Sequence, residues 1–190
     1  MKKRVGVLIS GTGSNMKALV SAGREAASPF EVVCVASNKA DAGGIAWAHE
    51  QGIAAQVINH KDFATREAFD TALNAYLQSQ RLDIVACAGF MRIMTPALIT
   101  PWAGRIVNIH PSLLPKYKGL HTHQRAIAAG DIEAGCSVHF VTAELDGGAV
   151  IAQVRVPILA GDTAETLAAR VLVEEHKLYP KVLSDVTSLI

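Results

Sequence analysis

Short, nearly continuous apolar runs alternate along the chain with longer stretches in which apolar residues recur every three or four positions. The first pattern predicts strands buried on both faces, the second amphipathic helices. Val5–Ile9 is the first run and Glu31–Ala36, rich in valine, the second. Ala55–Ile58 and Ile84–Ala88 follow as the third and fourth strands. Between them the pattern predicts a helix from Met16 to about Glu25, a short one at Ile45–Gln51 closed by Gly52, and the clearest at Thr65–Gln80. In this last helix Phe69, Leu73, Tyr76 and Leu77 share one face. Repeated strand–helix units imply an α/β fold with a doubly wound, mostly parallel sheet and right-handed crossovers.

Ile106–His110 reads as a fifth strand, after which the style changes. Cys136–Val141 and Val150–Pro157, joined by the short Thr142–Gly148 loop, predict an antiparallel C-terminal strand pair. Asp162 is the expected N-cap of the last helix, with Glu165 in capping-box position. Leu167, Val171, Leu178 and Val182 form its apolar side, and Pro180 is expected to kink or restart it. No repeat, low-complexity segment or linker interrupts the chain. We expect one domain over residues 1–190, divided into a phosphate-binding half (1–100) and a catalytic half (101–190).

Composition narrows the function little. Half the residues are hydrophobic, so disorder is excluded. A formal net charge of +1 gives no reason to expect nucleic acid or membrane as partner. The longest apolar runs, such as Ile84–Met91, are too short to span a bilayer. The basic start Met1–Arg4 leads into a short apolar run and then a glycine loop, which predicts a core strand rather than a signal peptide. Cys34, Cys87 and Cys136 each lie in an apolar run. Buried free thiols in a reducing, cytoplasmic compartment are expected, not disulfides or zinc.

Candidate chemistry centres on Arg105–Pro115. Asn108 and His110 interrupt a β-branched run at i and i+2, so they point to one side of a strand. Pro111 ends the pairing just after them, at the carboxyl end, where open α/β sheets bind ligands. A reaction centre and an ordinary strand end satisfied by its loop are both compatible with this pattern. Gly11-Thr-Gly-Ser-Asn15 lies between strand and helix and suits an anion. It lacks the third glycine of a dinucleotide fingerprint and the lysine of a P-loop. The alternative is a tight turn with Ser14 capping the helix. Asp146, in the glycine-rich turn before Gly147 and Gly148, either makes a local Asx turn or reaches His110. His121 and His123 with His110 suggest metal ligands, but no familiar ligand spacing accompanies them, and a substrate-shaping loop is preferred. Gly89-Phe-Met-Arg-Ile-Met94 offers apolar side chains for a flat ligand, or a hydrophobic plug.

Taken together, Leu8–Asn15, Ala88–Met94, Asn108–His123 and Ser137–Gly148, with a weaker match at Glu174–Pro180, resemble the phosphoribosylglycinamide formyltransferase family. The resemblance implies a Rossmann-like formyltransferase fold. It also implies transfer of a formyl group from 10-formyltetrahydrofolate, as cosubstrate, to the amine of glycinamide ribonucleotide in purine synthesis, with no metal. By that resemblance Asn108, His110 and Asp146 are catalytic. Gly13, Ser14, Asn15, Leu172 and Glu175 would hold the ribonucleotide. Arg66, Met91, Arg92, Ile93, Met94, Asn108 and the loop Thr142, Ala143, Glu144, Leu145 and Asp146 would border the folate. Asp146 is expected to raise the protonated fraction of His110, so that Asn108 and a cationic imidazole face the developing oxyanion, and to relay the amine's proton directly or through a bound water. Leu172 departs from the polar residue of many relatives, and the chain stops soon after its last helix.

Other readings remain. Hydrolases of 10-formyltetrahydrofolate usually add an N-terminal regulatory domain, and methionyl-tRNA formyltransferases a C-terminal RNA-binding one; neither is expected here. A non-catalytic nucleotide-binding module would share the fold without the chemistry. A monomer or weak homodimer acting on small molecules is expected.

Overall fold

The computed structural model describes residues 1–190. Seven strands form one sheet in the order β3-β2-β1-β4-β5-β6-β7. They are β1 (Lys3–Ile9), β2 (Phe30–Ser37), β3 (Ala54–Val57), β4 (Ile84–Cys87), β5 (Ile106–His110), β6 (Glu133–Phe140) and β7 (Val150–Pro157). The first five are parallel; β6 runs antiparallel to β5, and β7 to β6. The expected doubly wound sheet with an antiparallel C-terminal pair is thus present. Six helices cover it: α1 (Ser14–Arg24), α2 (Gly43–Glu50), α3 (Arg66–Ser79), α4 (Pro96–Ile99), α5 (Thr122–Ala128) and α6 (Ala164–Thr187). The four-residue α4 was not anticipated, nor was the tight helical turn Thr100–Trp102 that follows it. No helix is long and apolar enough to cross a membrane.

Two apolar clusters occupy the two faces of the sheet, because parallel strands covered by helices bury both sides. One joins Val5, Val7, Ile84 and Val107 to α1 and α6; the other joins Leu8, Val85 and Ile106 to α3 and α4. The three cysteines are buried and unpaired.

The final helix corrects two expectations. Its N-cap is Thr163, not Asp162, and the reciprocal cap pairs Thr163 with Thr166, not with Glu165. Asp162 instead accepts hydrogen bonds from the Leu159 amide and the Arg170 guanidinium. Adjacent Asp and Thr compete for the cap, and Arg170, about two turns into the helix, draws the aspartate away. Pro180 does not interrupt the helix, which continues to Thr187. It removes one backbone donor, but Leu178, Tyr179, Val182 and Leu183 around it are buried against the sheet. Tyr179 is fully buried, with its hydroxyl 3.0 Å from the Cys87 carbonyl and 3.1 Å from that of Val107. Packing and this tether outweigh the missing bond, and they anchor α6 beside the strand ends that precede Asn108.

Strand order reverses between β1 and β4, so a crevice opens between the loops that follow them. Ser10 ties the two together. Its amide donates to the Gly89 carbonyl at 3.1 Å, and its hydroxyl accepts from the Met91 amide at 2.8 Å. The same hydroxyl donates to Asn38 Oδ1.

Candidate active site

The loop after β1 delivers the start of α1. Gly13 is the N-cap, in the left-handed region at φ 71°, and no side chain caps the helix. This corrects the alternative in which Ser14 caps: Ser14 is already helical. The first-turn amides are left to a ligand or solvent, and the helix dipole favours an anion there. Asn15 is buried on the first turn, and its Nδ2 donates to Glu175 Oε2 at 2.6 Å. Asn15 Oδ1 is buried without a partner. The loop and α6 therefore meet, as the sequence grouping of Asn15 with Glu175 requires. Burial pushes the Glu175 carboxyl up, opposed by the Asn15 amide. Leu172 lies one turn earlier on α6, partly buried.

The second cluster forms at β5, β6 and the loop beyond. Antiparallel register sets Asn108 opposite His139 and His110 opposite Ser137. Asn108 Nδ2 lies 3.1 Å from His139 Nε2. His139 Nδ1 is 2.9 Å from the Phe140 carbonyl. This network assigns the Nδ1–H tautomer to a neutral His139, leaving Nε2 to accept from Asn108. One Asn108 N–H is thereby tied and the amide's orientation fixed. Asp146 stands between the two imidazoles, Oδ2 3.5 Å from His110 Nδ1 and Oδ1 3.6 Å from His139 Nε2. Its Oδ2 also accepts from the Gly119 amide at 2.9 Å. Asp146 itself is left-handed, φ 48°. Its turn is closed tightly: a Cβ on Gly148 would collide with the Phe140 carbonyl.

Asp146 thus reaches His110 rather than making only a local turn. The direction of the histidine's shift differs from expectation. His110 is 6% exposed. Burial pulls its pKa below the ordinary value; the Tyr117 carbonyl, 3.0 Å from Nε2, and the charge of Asp146 oppose this without overcoming it. Asp146 acts in the expected direction, but desolvation is larger. Nε2–H donates to the Tyr117 carbonyl, and Nδ1 faces the carboxylate. Asp146 shows the converse balance. Burial alone would raise it, but His139, the Gly119 amide and the charge of His110 hold it below the usual carboxylate range.

His139 was absent from the sequence-derived site. Its signal was a polar residue inside the apolar run of β6, whose meaning depends on the β5–β6 register. Cys87 also lines the cleft, but burial pushes its thiol up to about 12, so it is no thiolate nucleophile at neutral pH.

A cleft of about 130 Å³ adjoins Asn108, His139 and Asp146. Arg92, Ile93 and Met94 line it from one side, and Thr142, Ala143, Glu144 and Leu145 from the other. Phe90 and Val141 add apolar wall, and the Arg92 Nε is buried without a partner. Apolar walls with one unsatisfied donor suit a flat heterocycle carrying polar edges. Met91 is not part of this lining; its side chain is 58% exposed, and its amide is the one bound by Ser10. Arg66 sits exposed on the first turn of α3, also outside the lining. No group of three or more His, Cys, Asp or Glu side chains is arranged to hold a metal ion.

A family model described as formyl transferase matches residues 3–183. The chain belongs to the formyl transferase family. Among formyl transferases it is similar to the phosphoribosylglycinamide formyltransferase of Escherichia coli, 51% identical over 94% of this chain and 84% of that protein. The crystal structure of phosphoribosylglycinamide formyltransferase from Brucella melitensis superposes with a TM-score of 0.94 at 53% identity, covering 98% of this chain and 96% of that one. The trifunctional purine biosynthetic protein adenosine-3 of Chironomus tentans is 50% identical over 98% of this chain, which spans only 14% of that protein's length.

Proposed function

We propose that this formyl transferase moves a formyl group from 10-formyltetrahydrofolate to the primary amine of glycinamide ribonucleotide, a step of purine synthesis. The observation that carries the reading is the meeting of Asn108, His110 and Asp146 beside an apolar cleft, in a chain half identical to proteins named for this activity. The uncapped start of α1, with Gly13, Ser14 and Asn15, supplies donors for the ribonucleotide phosphate. Glu175 and Leu172 border the same substrate from α6. The cleft between Arg92–Met94 and Thr142–Asp146 takes the pterin end of the folate; Arg66 and Met91, outside that lining, would meet the rest of it.

The chemistry follows from where protons already are. As the amine attacks the formyl carbon, negative charge grows on the formyl oxygen. The free N–H of Asn108 is aimed by His139 and donates to that oxygen. The attacking nitrogen must also lose a proton. His110 Nδ1 and Asp146 Oδ2 face each other at 3.5 Å with no hydrogen between them in the neutral state, a place ready to accept one. Once protonated, the imidazole donates to Asp146 and Tyr117 and adds positive charge near the oxyanion. The His110–Asp146 pair then returns the proton toward the departing folate nitrogen. Cationic His110 is, in this account, a product of the reaction's progress, not the resting form.

The test is folate absorbance on mixing the protein with 10-formyltetrahydrofolate, with and without glycinamide ribonucleotide. Turnover that requires the ribonucleotide is expected. Equal turnover without it would assign a hydrolase, and silence under both conditions a binding module.

A further inference from the structure

The His110 ring is held from behind by a carbonyl on a residue in a costly conformation. Tyr117 has φ 56°, in the left-handed region that bulky side chains avoid. Such a residue persists only where its surroundings fix it. Three contacts do so. The Tyr117 hydroxyl donates to Asp131 Oδ2 at 2.8 Å. The Arg125 guanidinium lies over its ring, 5.1 Å from the centroid, and donates to the Lys118 carbonyl at 2.7 Å. Lys116 Nζ donates to both oxygens of Asp131 at 2.9 and 3.0 Å, closing the turn on that carboxylate. Asp131 is the common partner of two residues flanking one peptide bond, and its side chain is 18% exposed.

We propose that Asp131 is a positioning residue for the transfer: through Tyr117 it fixes the backbone carbonyl that accepts from His110 Nε2, and so sets the ring with Nδ1 toward Asp146. This rests on the catalytic role given to His110 above. Asp131 touches neither the cleft lining nor His110. It lines a separate cavity of about 350 Å³, which shares no residue with the cleft. The argument is geometric. An imidazole with acceptors near both nitrogens has two nearly equivalent tautomers unless one acceptor is closer and rigid. Here the rigid acceptor is the Tyr117 carbonyl at 3.0 Å, against 3.5 Å to Asp146. Releasing the Tyr117 ring lets its peptide plane relax toward ordinary φ, swinging the carbonyl away. The Nδ1–H tautomer then competes, and in it the proton-accepting nitrogen is already occupied.

The experiment compares Asp131→Asn and Tyr117→Phe with the unaltered chain by steady-state kinetics and by ¹⁵N NMR of the His110 ring. Both variants keep the side chain's size, and Tyr117→Phe removes only the hydroxyl, so it serves if Asp131→Asn folds poorly. Turnover is expected to fall roughly tenfold, in keeping with the cost of small misplacements at a reacting group. KM for the ribonucleotide should stay within about twofold, because the lock lies away from the start of α1 and Glu175. The NMR signature should move from one Nε2–H tautomer to a mixture. In a His110→Ala background, Asp131→Asn should cost little more. An unchanged tautomer in both variants, or equal fractional losses with and without His110, would overturn the lock. Near-normal turnover of His110→Ala alone would instead overturn the catalytic role on which it rests, while the tautomer measurement would still report on the lock itself.

Discussion

Asp146 and Glu175 are both carboxylates withdrawn from solvent at the carboxyl-end side of the sheet, with side-chain and residue exposures of 9% and 7%. They respond in opposite directions. Asp146 meets two imidazoles and a backbone amide, and its pKa falls. Glu175 meets one side-chain amide, and its pKa rises. Burial opposes the charged form in both; the surroundings of Asp146 outweigh it, and the single amide beside Glu175 does not. The comparison teaches a division of labour. On the proposed function, the region around Asp146 holds a charge and takes up a proton, while the region around Glu175 keeps a polar surface for the ribonucleotide.

The largest test of this division is at the charge-holding end. Asp146→Asn and Asn108→Ala should each lower turnover ~100- to 1,000-fold with folding preserved, read by steady-state kinetics and circular dichroism. Near-normal turnover in either would remove the assignment. His139→Ala should cost less, about 10- to 100-fold, since it frees the Asn108 amide to rotate rather than deleting it. At the other end the signature should invert. Asn15→Ala removes the amide that orients Glu175 and should raise KM for the ribonucleotide roughly tenfold, with turnover little changed. A fall in turnover at constant KM would mean that the two regions are not separable.

The smallest effect sharpens the contrast through pH. Asp146 is depressed, so its contribution to stability is present above its unfolded pKa and lost as pH falls through the folded value. Glu175 is raised, so its ionisation works against folding above its ordinary value of 4.5. Urea titrations should therefore show Glu175→Gln more stable than the unaltered chain at neutral pH, with the gain vanishing in acid. Asp146→Asn should flatten the rise of stability with pH on the acid side. Parallel pH profiles for both variants would contradict the opposite shifts.

Much of this was legible in the chain. Strand runs and helix faces give the sheet almost entirely, because burial on both sides leaves an unbroken apolar signature. Asn108 and His110 were readable because i and i+2 on a strand share a side whatever the fold. Asp146 was readable only as a wager on which strands are neighbours. His139 was not, since its role comes from facing Asn108 across an antiparallel register that no local pattern encodes. The direction of the His110 shift was missed for a related reason: the attracting carboxylate is visible in sequence, but the depth at which the pair sits is not. The cap of α6 turned on Arg170, eight residues from Asp162, and Pro180 on the burial of its neighbours.

Ser10 has a wider meaning than a loop contact. A single hydroxyl accepts from the strand-four loop and donates toward Asn38, while its own amide holds Gly89. The loop before α1 and the loop that walls the cleft are therefore built on one shared fastening. A displacement of one loop would therefore strain the other's frame through an oxygen common to both.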